Sequence, residues 1–326
     1  MDDSEKQPDD LGKSASGGSD GSIRIAQPGP ARLLEAVERL LRSDRRHAER
    51  FLRFAQETRM SLDHIWCAFG TSNRILATVL ASPSPGRTAM LFASPPRSSE
   101  EAPLVGRVVD ATCRSLKNAD VALAQALVEP ADRLEQDAFI HGGLLRLAML
   151  TYMERSVPER NAILQTDFPD GVHLECYRSE HRAELEDLLV ETYRDTLDCP
   201  GLAGLRDPSD VVEGHMHSGT FRPEWWVIAR KGKRAIGVSL FNGSAGSSSI
   251  ELVYLGLTKN ARGRGIGWAL LQHGLGLVAG SRERNIVLAV DEENDPALKI
   301  YEKAGFHRTI RRVALIRKLD ESTTRT

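Results

Sequence analysis

A loop with three alternate glycines lies between an apolar run and an amphipathic segment, and its composition suits phosphate binding. The loop runs from Arg262 to Gly267 and follows the apolar residues 250–257. Glycine has no Cβ, so the backbone there can adopt positive φ angles and approach a ligand closely. A helix predicted to start at about Gly267 adds N–H groups and the positive end of its dipole. The spacing therefore predicts a pyrophosphate cradle.

Other glycine-rich phosphate loops have different spacings. A P-loop ends in Gly-Lys-Ser or Gly-Lys-Thr, and no such ending follows Gly267. The dinucleotide-binding fingerprint is G-x-G-x-x-G, whereas the glycines of this loop occupy every second position. These two classes of site are therefore excluded, and a purely structural turn is the alternative to the cradle.

A second segment of chemical interest covers residues 288–306. Asp295 is a favourable N-cap residue and Pro296 suits the first helical position, so a helix is expected to begin there. Gly305 is expected to end that helix in the left-handed conformation. One face of the helix should pack on the sheet beside the loop, and it comprises Ala297, Ile300, Tyr301 and Ala304.

The two segments, in this order, resemble the GNAT superfamily of acyl-CoA-dependent N-acetyltransferases. The family signature Gln/Arg-x-x-Gly-x-Gly/Ala follows the fourth strand, and Arg262, Gly265 and Gly267 match it. Residues 288–306 are similar to the family's strand–Asn–helix–Tyr–Gly-Phe block. The resemblance covers about residues 172–319 and implies acetyl-CoA as the acyl donor. It implies that acetyl-CoA is held by Leu255, Leu257, Arg262, Gly263, Arg264, Gly265, Ile266, Gly267 and Asn294.

The resemblance also implies catalytic roles. Tyr301 would donate a proton to the CoA thiolate as the thiolate leaves. Leu257 would offer its backbone N–H to the acyl carbonyl, where such a donor stabilises an oxyanion. Glu251 would act as the general base on the substrate ammonium group, and Asp291 competes with it as a base or substrate anchor.

Two of these roles have structural alternatives. Tyr301 can be an ordinary packed aromatic residue of the core. Glu251 is predicted to share a strand face with Val253, Leu255 and Leu257, but a glutamate near a strand end can equally face solvent.

The composition is typical of a soluble globular chain of two domains. The 326 residues are 41% hydrophobic, and Lys+Arg 43 nearly balance Asp+Glu 45. A net charge of −2 gives no overall field that would attract nucleic acid or an anionic membrane. The 4 cysteines are widely spaced and show no metal-ligand pattern, so no metal is expected. The sequence has neither a signal peptide nor a membrane-span pattern, which predicts a cytoplasmic protein.

The order of predicted elements occurs twice along the chain. Residues 1–28 are rich in Asp, Ser and Gly and are predicted to be a disordered tail. Residues 31–155 have the predicted order ααβββαβαβ, residues 156–171 form a linker, and residues 172–320 repeat the order. We therefore expect an α/β protein with two GNAT-like domains, each a mixed, mainly antiparallel central sheet flanked by helices.

The first copy departs from the motif at the position of the loop. Its residues 93–103 contain three prolines, two glutamates and no glycine. Proline lacks the N–H group that a cradle requires, and carboxylates repel phosphate. We expect residues 31–155 to be a degenerate copy that does not bind CoA, and residues 172–320 to be catalytic.

The sequence thus predicts an N-acetyltransferase that moves an acetyl group from acetyl-CoA to a primary amine by direct attack in a ternary complex. The acceptor is a small-molecule or peptide amine, and its identity stays open. Nucleic acid and membranes are not expected partners, whereas a homodimer is compatible with the pattern. The alternative is a non-catalytic acetyl-CoA sensor or regulatory module, in which the first half binds a partner.

Overall fold

Two halves with the same succession of elements make up the computed structural model, which describes residues 23–58, 60–160, 167–244 and 246–319. The first half contains β1 (Arg24–Ala26), α1 (Leu33–Leu41), α2 (Arg45–Glu57), β2 (Ile65–Phe69), β3 (Ile75–Ser84), β4 (Thr88–Ala93), α3 (Ala102–Leu116), β5 (Leu123–Val128), α4 (Arg133–His141) and β6 (Leu145–Ser156). The second half contains β7 (Val172–Cys176), α5 (Arg182–Tyr193), α6 (Pro208–Met216), β8 (Trp226–Lys231), β9 (Arg234–Gly243), β10 (Ser249–Leu257), α7 (Ile266–Leu277), β11 (Asn285–Asp291), α8 (Asp295–Lys303) and β12 (His307–Lys318).

All of these strands belong to one sheet of 12 strands, in the order β1-β2-β3-β4-β5-β12-β6-β11-β10-β9-β8-β7. Neighbouring strands are antiparallel except for the pairs β4–β5 and β10–β11, which are parallel. This arrangement confirms the predicted mixed, mainly antiparallel sheet flanked by helices.

The halves exchange their last strands. β12 ends the second half but pairs with β5 of the first, and β6 ends the first half but pairs with β11 of the second. The two exchanged strands also pair with each other at the centre of the sheet. The predicted boundaries 31–155 and 172–320 therefore follow the repeat in the sequence but do not divide the sheet into independent units.

Two edge strands escaped the sequence analysis. β1 pairs with Cys67–Phe69 and β7 pairs with Val227–Lys231, each antiparallel. The first is only three residues long and the second has the mixed sequence Val-His-Leu-Glu-Cys, so neither gives a strong period-two pattern. The expected disorder of residues 1–28 is thus wrong for residues 24–26, while residues 1–22 lie outside the described residues, as do linker residues 161–166.

Helices cover both faces of the sheet. One side of α1 packs against β2 and β3 through Ala36, Val37 and Leu40. In the second half, α7 packs against β8 and β9 through Leu270. Within the described residues, no helix combines the length and the apolar character needed to cross a membrane.

The turn between β3 and β4 touches α6 of the other half. Arg206 donates hydrogen bonds to the carbonyl oxygens of Gly86, at 3.0 Å, and of Asp210, at 2.8 Å. Gly86 has a φ of 81° and approaches α6 so closely that a Cβ would lie 2.3 Å from the Asp210 carbonyl oxygen. The relative position of the halves is therefore fixed away from the central strands as well.

We predict that neither half folds alone, because each would lose a strand from the interior of its sheet and expose a long unpaired edge. Residues 1–163 and 164–326, expressed separately, should be aggregated or unfolded by circular dichroism. Co-expression is the control: the two pieces should co-purify as a folded complex, since the break leaves every strand intact. A well-folded, soluble second piece on its own would contradict the exchange.

Candidate functional site

An opening in the sheet, here called the second cleft, lies between β10 and β11. These parallel strands pair only over Ser249–Glu251 and Asn285–Val287 and then diverge. The space holds a cavity of about 650 Å³. Its lining includes strand residues, the glycine loop and one side of α8, among them Leu252, Val253, Tyr254, Leu255, Leu257, Gly263, Gly265, Gly267, Trp268, Asn294, Ala297, Ile300 and Tyr301.

The glycine loop forms one end of the second cleft. Gly263 and Gly265 have φ angles of 72° and 79°, in the left-handed region that disfavours other residues. A Cβ at either position would meet no atom within 4 Å, so the backbone there faces open space. Gly265 is the N-cap of α7, and no side chain caps that helix end. The glycines of the loop thus present uncapped N–H groups and a helix dipole to the cleft, as an anion site requires. Arg264 and Ile266 line a separate pocket on the other side of the loop rather than the second cleft.

Arg262 lines the second cleft, but its side chain hydrogen-bonds the protein itself. Its guanidinium group donates to the carbonyl oxygens of Thr192, Arg194 and Asp195 at 2.8, 3.0 and 2.7 Å, and to that of Leu257 at 3.2 Å. These carbonyls belong to the C-terminal end of α5 and to the end of β10. Arg262 therefore ties the end of α5 to the glycine loop, and its side chain is committed to this connection.

The exposed edge of β10 supplies backbone donors. Thr258 N–H donates to Ile236 O on the β9 side. Because successive N–H groups of a strand point to opposite edges, those of Leu257 and Leu255 point toward the second cleft, where β11 has diverged. Both residues also line the cavity.

A β-bulge at Val253 changes the predicted faces of β10. The register with β9 shifts between Leu252 and Tyr254, which inserts one extra residue and reverses the alternation of side chains. Val253 and Tyr254 pack on the α5–α6 side, whereas Leu255 and Leu257 pack toward α7. The expected common face of Glu251 with Leu255 and Leu257 is therefore wrong, because an unbroken period of two does not hold across the bulge.

Glu251 lies in a half-buried position on β10, two residues before the bulge. Its carboxylate accepts a hydrogen bond of 2.9 Å from the Ser218 hydroxyl. Burial raises the pKa of Glu251 above its ordinary value, and the Ser218 hydrogen bond opposes this rise. Burial, followed by the charge of Glu251, raises the pKa of Tyr152 on β6, so the first half contributes to the surroundings of Glu251. A partly desolvated carboxylate of this kind suits general-base chemistry.

Tyr301 projects from α8 into the cavity. The side chain is only 7% exposed and its ring meets that of Phe306 edge-on at 5.9 Å. Burial, with a smaller contribution from the charge of Asp198, raises the pKa of the Tyr301 hydroxyl far above its ordinary value. The phenol therefore stays protonated at neutral pH and can act as a proton donor.

Asp291 anchors a loop rather than facing a substrate. One carboxylate oxygen accepts from the N–H of Cys199 and the other from the N–H of Glu293, each at 3.1 Å. In the opposite direction, the carboxylate of Asp198 accepts a hydrogen bond from the Asp291 N–H at 3.0 Å. This exchange fastens the loop after α5 to the end of β11, so Asp291 is a structural residue in this geometry.

Asn294, and not Asp295, is the N-cap of α8. Its side chain accepts from Ala297 N–H at 3.3 Å, while Asp295 and Pro296 are the first two helical residues. Asn294 also hydrogen-bonds Asp198 and lines the cavity, as its predicted cofactor contact requires. The end of α8 follows the prediction, since Gly305 has a φ of 85°.

The sequence analysis missed Asp198, which lines the cavity, and two neighbours of Glu251, namely Ser218 and Tyr152. Glu251 and these two neighbours are not among the residues that line the cavity. Asp198 is half-buried in the cavity wall, and this partial burial raises its pKa. Each lies far from the glycine loop in sequence, and no local pattern distinguishes it from other polar residues. Only the segment 193–219 as a whole could have been singled out, as the region covering the cleft.

The other reactive side chains of this region are inert. The thiol of Cys199 has a pKa far above its usual range because it is buried beside Asp198 and Asp291. His215 stacks on Tyr254 with ring centroids 5.5 Å apart, and burial lowers its pKa to about 4. Among the described residues, no group of three or more His, Cys, Asp or Glu side chains could hold a metal ion.

The second half is similar in sequence to known acetyltransferases. Residues 182–306 match the sequence model of the acetyltransferase (GNAT) family. A protein named mycothiol acetyltransferase from Clavibacter sepedonicus is 28% identical over 262 residues, covering 78% of this chain and 82% of that protein. Another of that name from Corynebacterium aurimucosum is 41% identical over 56 residues, covering 17% of this chain and only 18% of the relative.

Solved structures share the fold over nearly the whole length. A GCN5-related N-acetyltransferase from Sphaerobacter thermophilus has a TM-score of 0.56 at 17% identity, covering 92% of this chain and 97% of that chain. A tandem GNAT protein from the clavulanic acid biosynthesis pathway has a TM-score of 0.50 at 13% identity, covering 93% and 100%. At these identities the likeness is one of fold.

We predict that Gly265→Glu abolishes acetyl-CoA binding without unfolding the protein. The carboxylate would occupy the open space in front of the uncapped N–H groups and repel phosphate. Loss of two hydrogen bonds to charged groups, at about 1.5 to 3 kcal/mol each, weakens affinity by roughly 100-fold to 10,000-fold. The measurement is the rise in melting temperature on adding acetyl-CoA, which should disappear.

Gly171→Glu is the matched control for that variant. Gly171 also has a positive φ, 77°, and a Cβ there would meet nothing within 4 Å, but it does not line the second cleft. This variant carries the same backbone strain and charge, so it should keep the full thermal shift. An undiminished shift in Gly265→Glu would contradict the cradle.

We further predict one acetyl-CoA site per chain. In the first half, residues 94–101 replace the glycine loop, and the acidic Glu101 precedes α3 where Gly265 precedes α7. The seventh residue of α4 is Phe139, at the place that Tyr301 holds in α8. Calorimetric titration should therefore give a stoichiometry near one, and a value near two would contradict the assignment.

Proposed function

Because residues 182–306 match the sequence model of the acetyltransferase (GNAT) family, we propose that this protein transfers an acetyl group from acetyl-CoA to a primary amine. The observation that carries the proposal is that one cavity contains both the uncapped glycine end of α7 and the buried, protonated hydroxyl of Tyr301. The first feature suits the phosphates of the donor and the second suits its leaving thiolate.

Acetyl-CoA would enter as a substrate, and the second cleft fits its parts. The loop around Gly263 and Gly265 would receive the pyrophosphate. The open edge of β10 would hydrogen-bond the amide groups of the pantetheine arm through Leu255 and Leu257. The apolar walls formed by Trp268, Ala297 and Ile300 would exclude water from the arm.

We place the acyl end at the bulge rather than at Leu257. Leu257 adjoins Gly267, where a Cβ would lie 3.5 Å from the Leu257 side chain, so it lies at the phosphate end. Six residues of strand separate it from Glu251, or roughly 20 Å at the usual rise. A base at Glu251 acts on an amine only if the thioester is near. The region of Leu252 and Val253 therefore suits the acyl carbonyl.

Proton transfers complete the proposed reaction. Glu251 takes a proton from the acceptor ammonium, and the freed nitrogen lone pair attacks the acyl carbon. The carbon–sulfur bond breaks as the carbon–nitrogen bond is completed, and Tyr301 gives its proton to the departing sulfur. After the attack the nitrogen still carries one surplus proton, which it gives to solvent. The step therefore yields the amide, CoA thiol, a protonated carboxyl, a phenolate and one proton in solvent. Transfer of one proton from Glu251 to Tyr301 through solvent restores both groups.

The surroundings of the cavity favour a cationic acceptor. Asp198 contributes a carboxyl group to the cavity lining, and Glu251 contributes a second one beside the bulge of β10. One relative named mycothiol acetyltransferase is similar over 78% of this chain, and the amine acceptor of that protein is the first to test. Release of free thiol in the presence of acetyl-CoA and a panel of amines is the direct assay. If the protein binds acetyl-CoA but none of the amines in the panel causes thiol release, it is instead the non-catalytic sensor.

We predict that Tyr301→Phe lowers turnover about 100-fold to 10,000-fold, the usual range for loss of a general acid, with nearly unchanged acetyl-CoA affinity. The ring and its contact with Phe306 survive, so only the proton donor is removed. Tyr254→Phe is the matched control, since its hydroxyl bonds Thr192 at 2.8 Å within the same cavity wall. If turnover falls by less than about threefold in Tyr301→Phe, Tyr301 is a packing residue and not the proton donor.

The pH dependence of kcat/KM should reflect the ionisation of Glu251. A base must be deprotonated, and burial raises its pKa, so kcat/KM should fall on acidification at a higher pH than an ordinary glutamate would give. Ser218→Ala removes the hydrogen bond that stabilises the carboxylate, and it should move this acid limb to still higher pH. Glu251→Gln should abolish the limb. An unchanged limb in both variants would exclude Glu251 as the base.

A further inference from the structure

The first half contains a counterpart of the second cleft, here called the first cleft. β4 and β5 are parallel and pair only over Thr88–Met90 and Leu123–Gln125 before they diverge. The opening contains a cavity of about 330 Å³, roughly half the volume of about 650 Å³ in the second cleft. Loss of the glycine loop has therefore not closed this opening.

The walls of the first cleft are apolar. Leu40, Leu80, Leu91 and Phe139 are each at most 5% exposed and form its interior with Leu127. At the mouth, Leu41 and Phe92 are 40% and 46% exposed, so an apolar rim leads inward. Such a cavity gains free energy when an apolar body displaces its water.

One charged side chain faces this apolar space. Glu135 is the only charged residue among those that line the cavity in the described chain. It is the third residue of α4, where the third residue of α8 is Ala297 in the second cleft. Burial, followed by the charges of Asp132 and Glu129, raises its pKa to about 7. Arg312 pairs with Glu129 at 3.2 Å, whereas no cation of the described chain pairs with Glu135.

A carboxylate without a counter-ion in an apolar cavity is unfavourable, and a cation brought by a ligand relieves that cost. We propose that the first cleft binds a small primary amine whose ammonium group pairs with Glu135 and whose apolar body fills the cavity. If each non-hydrogen atom of the ligand occupies the volume of one water molecule, about 30 Å³, the cavity accommodates a ligand of on the order of ten such atoms. The site binds without catalysing a reaction, since Phe139 provides no hydroxyl. This inference does not depend on acetyl transfer.

The test uses the full-length protein and three probes that share one body, namely 4-phenylbutylamine, 4-phenylbutan-1-ol and 4-phenylbutanoate. Calorimetry at pH 8 should show the amine binding at least tenfold more tightly than the alcohol, with the carboxylate weakest. Glu135→Gln should lower the affinity for the amine at least tenfold and leave that for the alcohol unchanged. Equal binding of amine and alcohol, or an undiminished affinity in Glu135→Gln, would overturn the proposal.

Three further variants locate the site. Asp137→Asn removes a carboxylate from the exposed side of the same helix and should leave the amine affinity unchanged. Leu41→Trp narrows the mouth at a position that tolerates a larger side chain, and it should weaken all of the probes that bind. Glu251→Gln should have no effect. If Glu251→Gln and not Glu135→Gln weakens the amine, the amine binds in the second cleft and the proposal is wrong.

Discussion

The pairing of β11 with β6 is the constraint on which the site depends. β11 hydrogen-bonds β6 over all seven residues from Asn285 to Asp291, but it follows β10 for only three. A strand held along its whole length by one neighbour in a twisted sheet must leave the other where the twist separates them. The second cleft is thus opened by a strand that comes from the other half of the chain.

The cleft is then closed on its outer side by a small number of polar contacts. Arg262 connects the end of α5 to the end of β10, and the reciprocal bonds of Asp198 and Asp291 fix the loop after α5 to β11. Asp195 and Cys199 adopt positive φ angles of 51° and 47° within that loop, a strained conformation that these contacts maintain. Residues that resemble ligands or bases in the sequence therefore hold the wall of the cavity in place.

The two halves show how one architecture supports two different openings. Both contain a parallel pair that diverges after three residue pairs, a nine-residue helix beside it, and a glycine of positive φ after that helix. The chemistry differs at single positions, since Phe139 replaces Tyr301 and Glu135 replaces Ala297. The second half has the groups that the proposed acyl transfer would use, and the first half has an apolar cavity with one carboxyl group that pairs with no cation of the described residues.

The sequence by itself determined the local features of this protein. Hydrophobic periodicity, helix caps and glycine positions placed nearly every helix and strand, and the loop 262–267 with Tyr301 and Asn294 identified the cleft, because these signals arise from neighbouring residues. The tertiary structure alone decided the exchange of β6 and β12 and the bulge that separates Glu251 from the face of Leu255. It also decided that Asp198 lies beside Asp291, and that Ser218 and Tyr152 lie beside Glu251. Strand partners and side-chain neighbours depend on contacts between distant segments, and a periodic pattern carries no information about which distant segment supplies them.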